Sequence, residues 1–218
     1  MDTLQPSRSS VTPRPAVTVC FFLLFSILGA SSFADKSSKG KLERPDPPAS
    51  KEEVAKARQT VAQMFQKSFD KATTPAKRQE LAQELLANVP RIKDDANVRY
   101  AMLLEARAQA IAAGKTALSL EAIDLTAKYF RVDLIDMKIT ALEQLLKSVR
   151  EPAGQREITG AALALSKTAA DENRFENADR LVMLAMVSAR KLHSPQLIRE
   201  ANERMLEIMA AKKKAKTK

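Results

Sequence analysis

An all-α fold of antiparallel helix pairs is what this sequence predicts, and three observations carry the prediction. From Ser50 onward apolar residues recur at i, i+3, i+4 and i+7, the spacing of one face of a helix. No stretch alternates apolar and polar residues over a strand's length, and no Asn-Gly or Asp-Gly hairpin signal occurs. Ala and Leu are abundant, aromatics make up 5% and Trp is absent, a composition that favours helix because these side chains keep rotamer freedom there.

Eight helices account for the pattern. The first runs from about Lys51 to Ala72, opened by the capping-box pair Ser50 and Glu53, with Val54, Ala57, Val61, Met64, Phe65 and Phe69 inward. Thr74 caps the second and Pro75 takes its first position, with Leu81, Leu85, Leu86 and Val89 inward and Pro90 at its end. Asp95 caps the third, whose stripe is Val98, Ala101, Leu104, Ala108 and Ile111, and Gly114 stops it in a left-handed turn. The fourth spans about Thr116 to Phe130 and carries Leu120, Ile123, Ala127 and Phe130.

Asp133 opens the fifth, with Met137, Ala141, Leu142 and Leu145 inward. Pro152 begins the sixth, where Ile158, Ala161, Ala162, Leu165 and Ala169 share a face. The seventh, Phe175 to Leu192, buries Ala178, Leu181, Val182, Ala185 and Ala189. Ser194 and Pro195 start the eighth, with Ile198, Ala201, Met205, Ile208 and Met209 inward. Links of two to five residues between such helices force antiparallel neighbours, and the pairs must stack to hide their remaining apolar sides.

The ends of the 218-residue chain read differently. An apolar run from Ala16 to Ala30 follows a polar segment carrying Arg8 and Arg14, and Ser32 and Ala34 form a small-x-small site before Asp35. This is the order of a cleavable secretory signal over residues 1–34. The apolar core falls short of the ~20 residues that span a bilayer comfortably. The expected location is the periplasm or the exterior; retention of the segment as a membrane anchor is the alternative. Residues 35–50 are polar and Pro-rich and read as a flexible linker, because they lack the apolar surface to offset ordering entropy. The single cysteine, Cys20, lies inside the apolar run, so the body has no disulfide framework.

The helical domain covers 51–211, and residues 212–218 are a Lys-rich tail extending the eighth helix. That tail supplies Lys212, Lys213, Lys214, Lys216 and Lys218, half of the net charge of +10. The body is therefore only mildly basic, which gives no footprint for specific nucleic-acid binding. The five lysines are the residues expected to contact an anionic envelope surface through additive charge.

Groups that suggest chemistry have simpler roles. Gly114-Lys115-Thr116 matches the end of a phosphate-binding loop, but position 109 is Gln where that loop needs Gly, and no strand precedes it. His193 is the one histidine; it stands at the end of a helix, where it favours the dipole, and without a second ligand makes no metal site. Asp94 with Asp95, Asp133 with Asp136, and Asp171 with Glu172 fall at helix termini, where capping or solvation explains them. Ser166 and Ser188 have no base nearby in the pattern. The sequence therefore predicts no enzyme, no cofactor, no metal and no small-molecule substrate.

Two stretches are alike at an offset of 59 residues: Ala113 to Ile123 and Glu172 to Val182, each turning at Gly114 or Asn173 into a new helix. The second resembles the tetratricopeptide turn, with Phe175 at the aromatic position and Ala178, Leu181 and Ala185 along the following helix. The resemblance implies a tetratricopeptide-like α-solenoid; an irregular helical bundle is the alternative. Residues 51–211 also resemble a helical region of exported planctomycete-type bacterial proteins, through Met64 to Phe69, Asn97 to Ala106 and Asp171 to Ala185. Neither resemblance brings catalytic residues. What they imply is a protein-interaction scaffold whose groove takes a protein or peptide partner, with an envelope-associated structural protein held by its basic tail as the alternative.

Overall fold

The computed structural model describes residues 44–48 and 50–217. The expected signal segment 1–34, Cys20, linker residues 35–43 and Ala49, and Lys218 lie outside the described residues. The chain divides into Met1–Lys41 and Leu42–Lys218, and every described residue belongs to the second unit.

All regular structure among the described residues is helical. In chain order the helices are α1 (Lys51–Met64), α2 (Gln66–Lys71), α3 (Pro75–Asn88), a 3₁₀ turn (Val89–Arg91), α4 (Ala96–Ala112), α5 (Thr116–Tyr129), α6 (Leu134–Ser148), α7 (Pro152–Asp171), α8 (Phe175–Lys191) and α9 (Pro195–Lys216). There are thus nine α-helices among the described residues where the pattern predicts eight. The first helix breaks at Phe65, whose backbone (φ −115°, ψ 22°) leaves helical geometry between α1 and α2.

The start signals act as expected. Ser50 Oγ accepts from Glu53 N at 3.0 Å, and Ser50 N donates to Glu53 Oε2 at 3.4 Å, closing the capping box. Thr74, Asp95, Asp133 and Ser194 each accept from the backbone N–H three residues on. Gly114 (φ +69°) is left-handed, and so are Asn173 (φ 59°) and His193 (φ 49°). At each of these three turns two N–H groups reach back to the last helical carbonyls; at the first, Gly114 N bonds Ile111 O and Lys115 N bonds Ala110 O, both at 2.9 Å. This is one C-terminal motif used three times. The pair Gly114 and Asn173 are the two turns that the 59-residue offset relates.

The helices pack by a neighbour rule. With α1 and α2 counted as one, each helix touches the one before it and the one two before it, and none further. Two rows result: α1, α4, α6 and α8 in one, α3, α5, α7 and α9 in the other. Side chains report direction. Asp133 and Arg174, at the starts of α6 and α8, meet at 2.7 Å, so these helices run parallel. Asp179 and Lys212, at the start of α8 and the end of α9, meet at 3.3 Å, so this pair is antiparallel.

The core forms two clusters, each drawing on both rows. One, in α1 to α5, centres on Val61, Leu81, Leu85, Met102, Leu103 and Phe130. The other, in α6 to α9, centres on Ile139, Leu142, Leu145, Ile158, Leu181 and Ile208. Each such fully buried side chain contributes about 1.5–3 kcal/mol. The most extensive interface is α7–α8, where Ala162, Ala169, Ala178, Ala185 and Ala189 are all fully buried. Small side chains there let the two backbones approach.

Three inward assignments are corrected. Met64 and Met209 are exposed, and Ala108 on α4 is exposed. Helix α4 lies against α1, α3, α5 and α6, so its buried surface is wider than one stripe and takes in Met102, Leu103, Ala106 and Ala110.

Candidate functional site

Of the lysines named from the sequence, Lys212, Lys213, Lys214 and Lys216 stand at the end of α9, and the helix continues through Lys216. Met205, Met209, Lys212 and Lys216 follow one another at helical spacing along one side. They face α8 across a groove of about 560 Å³ lined by Asp179, Val182, Met183, Met205, Met209 and Lys212, with Lys213 and Lys216 at its rim. The floor is apolar: Met183 is 55% exposed and Met209 59%. Val187 (40%) and Leu206 (65%) extend the apolar surface along α8 and α9. Lys212 Nζ reaches Asp179 at 3.3 Å, so the groove's one acid is paired. Lys213, Lys214 and Lys216 are exposed. Met183, Val187 and Leu206 had no place in the sequence reading; the signal was available, because each falls off the inward stripe of its helix.

Of the other sequence-selected groups, Asp133 and Asp136 have side-chain partners at the start of α8. Asp133 caps α6 and receives both Arg174 terminal nitrogens, at 2.8 and 2.7 Å. Asp136 lies 3.6 Å from the same guanidinium and accepts from Asn177 at 2.8 Å, and Arg180 meets Glu143 at 3.0 Å. This polar ladder ties α6 to α8. The Arg174 hydrogen bond holds the Asp133 carboxyl below the ordinary carboxylate range, and the same bond raises Arg174. Asp95 caps α4, while Asp94, Asp171 and Glu172 are exposed.

Gly114-Lys115-Thr116 joins α4 to α5 with a helix, not a strand, before it. His193 is itself the left-handed residue that ends α8. Ser166 and Ser188 are buried. Ser166 Oγ donates to Leu163 O at 2.7 Å. Ser188 Oγ lies 2.8 Å from the Gln155 carbonyl and 2.7 Å from Gln155 Oε1, and Gln155 Nε2 donates to Val149 O at 2.6 Å. Both hydroxyls are taken up by oxygens of the surrounding helices.

A second surface feature lies over α4 and α6. Of the Pro-rich linker, residues 44–48 rest on the body: Arg131 N donates to Pro45 O at 2.9 Å, Asp46 pairs with Arg131 at 3.4 Å, and Arg44 donates to Ala127 O. Pro47 borders a depression lined by Tyr100, Arg107, Val132, Met137 and Thr140. Burial pushes the Arg107 guanidinium below its usual range. Tyr100 packs edge-on against Phe130 at 5.1 Å, which fixes the wall.

Among the described residues no group of three or more His, Cys, Asp or Glu is placed to hold a metal ion, and no helix is long and apolar enough to cross a membrane. Compared with known proteins, the chain matches no family model, no curated protein and no solved structure.

Proposed function

We propose that this chain is an exported, non-enzymatic helical scaffold of tetratricopeptide-like type, and that its α8–α9 groove is where a protein partner binds. The observation that carries the reading is the groove itself: an apolar, methionine-rich floor left open to solvent beside a row of lysines. Methionine side chains adapt to varied apolar partners, and exposed apolar surface with a charged rim marks an interaction site. The neighbour-only packing of the helices supports the repeat-type architecture.

A photo-crosslinking residue placed at Met183 or Met209 should yield a discrete protein adduct in the producing cells. The same residue at Gln83, exposed on α3, should not. Identical adducts at all three positions, or none at the groove, would remove the proposal. The export part of the reading requires a mature protein that starts at or near Asp35, which intact-mass measurement checks.

A second reading draws on the exposed Lys213, Lys214 and Lys216: attachment to an anionic envelope surface. It requires sedimentation with vesicles of phosphatidylglycerol that falls steeply with salt and disappears when these lysines become Glu.

A further inference from the structure

We infer that the α8–α9 groove receives a single helix from a protein partner, running antiparallel to α9, with an acidic first turn beside Lys212, Lys213 and Lys216. The inference rests on the scaffold reading above and names the partner's structure and direction.

The neighbour rule defines the position. Each helix rests on the one before it and the one two before it. A helix added after α9 would rest on α9 and α8, which is where the open groove lies. The groove's lining has the spacing such a helix needs: Asp179 and Met183 are four apart on α8, and Met205 and Met209 four apart on α9. An incoming helix meets rows of this kind with its own apolar i, i+3, i+4 and i+7 positions.

Direction follows from the rows. The added helix belongs with α4, α6 and α8; α6 and α8 run parallel to each other, and α8 runs antiparallel to α9. Its N-terminus therefore sits beside the last turns of α9, where the lysines are. The unsatisfied N–H groups of a first helical turn favour acidic side chains, and Lys213 and Lys216 supply the complementary charge across the groove. Asp179 does not cancel it, because Lys212 already pairs with that acid.

A second copy of this chain is the poorer occupant. At the opposite end of the array, α1 turns Lys51, Glu52, Lys56, Gln59 and Gln63 outward. Met64 is its one large exposed apolar residue, so the leading helix offers no stripe for the groove.

Two synthetic amphipathic peptides of one composition test the inference against the full chain by fluorescence anisotropy. One carries three Glu in its first turn ahead of a Leu stripe; the other is the same sequence in reverse order. The acid-first peptide should bind roughly fivefold more tightly. Met183→Glu with Met209→Glu should abolish binding, and Lys212→Glu with Lys213→Glu should erase the preference between the peptides. Both methionines are more than half exposed, so the fold should survive; circular dichroism verifies it, and Met183→Gln with Met209→Gln gives a milder variant with partial loss.

Equal affinity for the two peptides, or binding that survives the methionine variants, overturns the inference. So does a concentration-dependent dimer, or vesicle binding, that the methionine variants abolish. If groove crosslinks to a protein persist while neither peptide direction is preferred, the scaffold reading stands and the helical pose falls. If both fail, the scaffold reading fails with it.

Discussion

Glycine 154 and glycine 160 lie in the same helix, yet replacing each by Ala should change stability in opposite directions. At Gly160 an added Cβ meets nothing within 4 Å. Position 160 is inside α7 (Pro152–Asp171), so Gly160→Ala should stabilise by about 0.8–1 kcal/mol, the helical preference of Ala over Gly. At Gly154 the Cβ would fall 2.5 Å from one γ-methyl of Val149. Val149 has little room to turn that methyl away, because it is β-branched and only 3% exposed. Val149 is seated between Gly114 and Gly154 at the α6–α7 turn. Overpacking of this kind costs about 1–3 kcal/mol, which outweighs a propensity gain reduced by the first-turn position. Gly154→Ala should therefore destabilise by about 1–2 kcal/mol. Urea titration followed by circular dichroism reads both changes as shifts in midpoint at constant slope. In a double-mutant cycle, Val149→Ala should recover about 1 kcal/mol or more of the Gly154→Ala loss. Stabilisation by Gly154→Ala, or a cycle that closes additively, would refute the account of this turn.

Other substitutions probe other parts of the fold. His193→Gly should raise stability by about 0.5–1 kcal/mol in the same titration, since it relieves a left-handed backbone at φ 49°; Asn173→Gly should gain less, because Asn tolerates that conformation better. Ser188→Ala should cost about 1–3 kcal/mol, as Gln155 Oε1 loses a buried donor between α7 and α8. Asp133→Asn keeps a competent cap but breaks the Arg174 ion pair, an exposed contact worth about 0.2–1 kcal/mol. The sign of its pH dependence follows from the lowered pKa of Asp133. The stabilisation is present above the unfolded carboxylate value, about 3.9, and is lost as pH falls through the lower folded value. The stability gap between wild type and Asp133→Asn should accordingly be flat near neutrality and close in acid.

Helix boundaries were legible because the physics that sets them is local. A hydroxyl or carboxylate bonding three residues ahead, or a Pro whose missing N–H costs nothing in the first turn, acts within four residues of itself. Ser50, Thr74, Asp95, Asp133 and Ser194 could therefore be assigned from sequence neighbours. The break at Phe65 was not legible, since the apolar row Val61, Phe65, Phe69 runs through it without interruption. The buried width of α4 was also hidden. One stripe suffices for a helix with neighbours on one side, but α4 lies against four helices, and the number of neighbours is a property of the assembled array. Left-handed Asn173 was accessible through its likeness to Gly114, whereas His193 carried no such signal, being neither Gly nor Asn.

The candidate site was obscured by the same periodicity that revealed the fold. An apolar residue at helical spacing reports that it is hidden from water in some packing arrangement, without reporting whose atoms hide it. Met209 shares a face with Met205 and so read as core, yet no helix of this unit covers it. Placing the end of the helical domain at residue 211 also divided a single structural row: Met205 and Met209 fell on one side as packing, Lys212 and Lys216 on the other as a tail. The tail was expected to extend the helix, but only with α8 seen beside α9 do apolar and basic residues become two halves of one surface. The neighbouring methionines also bear on what the lysines meet. Charge alone would serve an anionic surface without regard to shape, and would leave the adjacent methionines unexplained. A partner that needs both halves must present apolar and acidic groups in matching order, which is what a helix with a defined direction does.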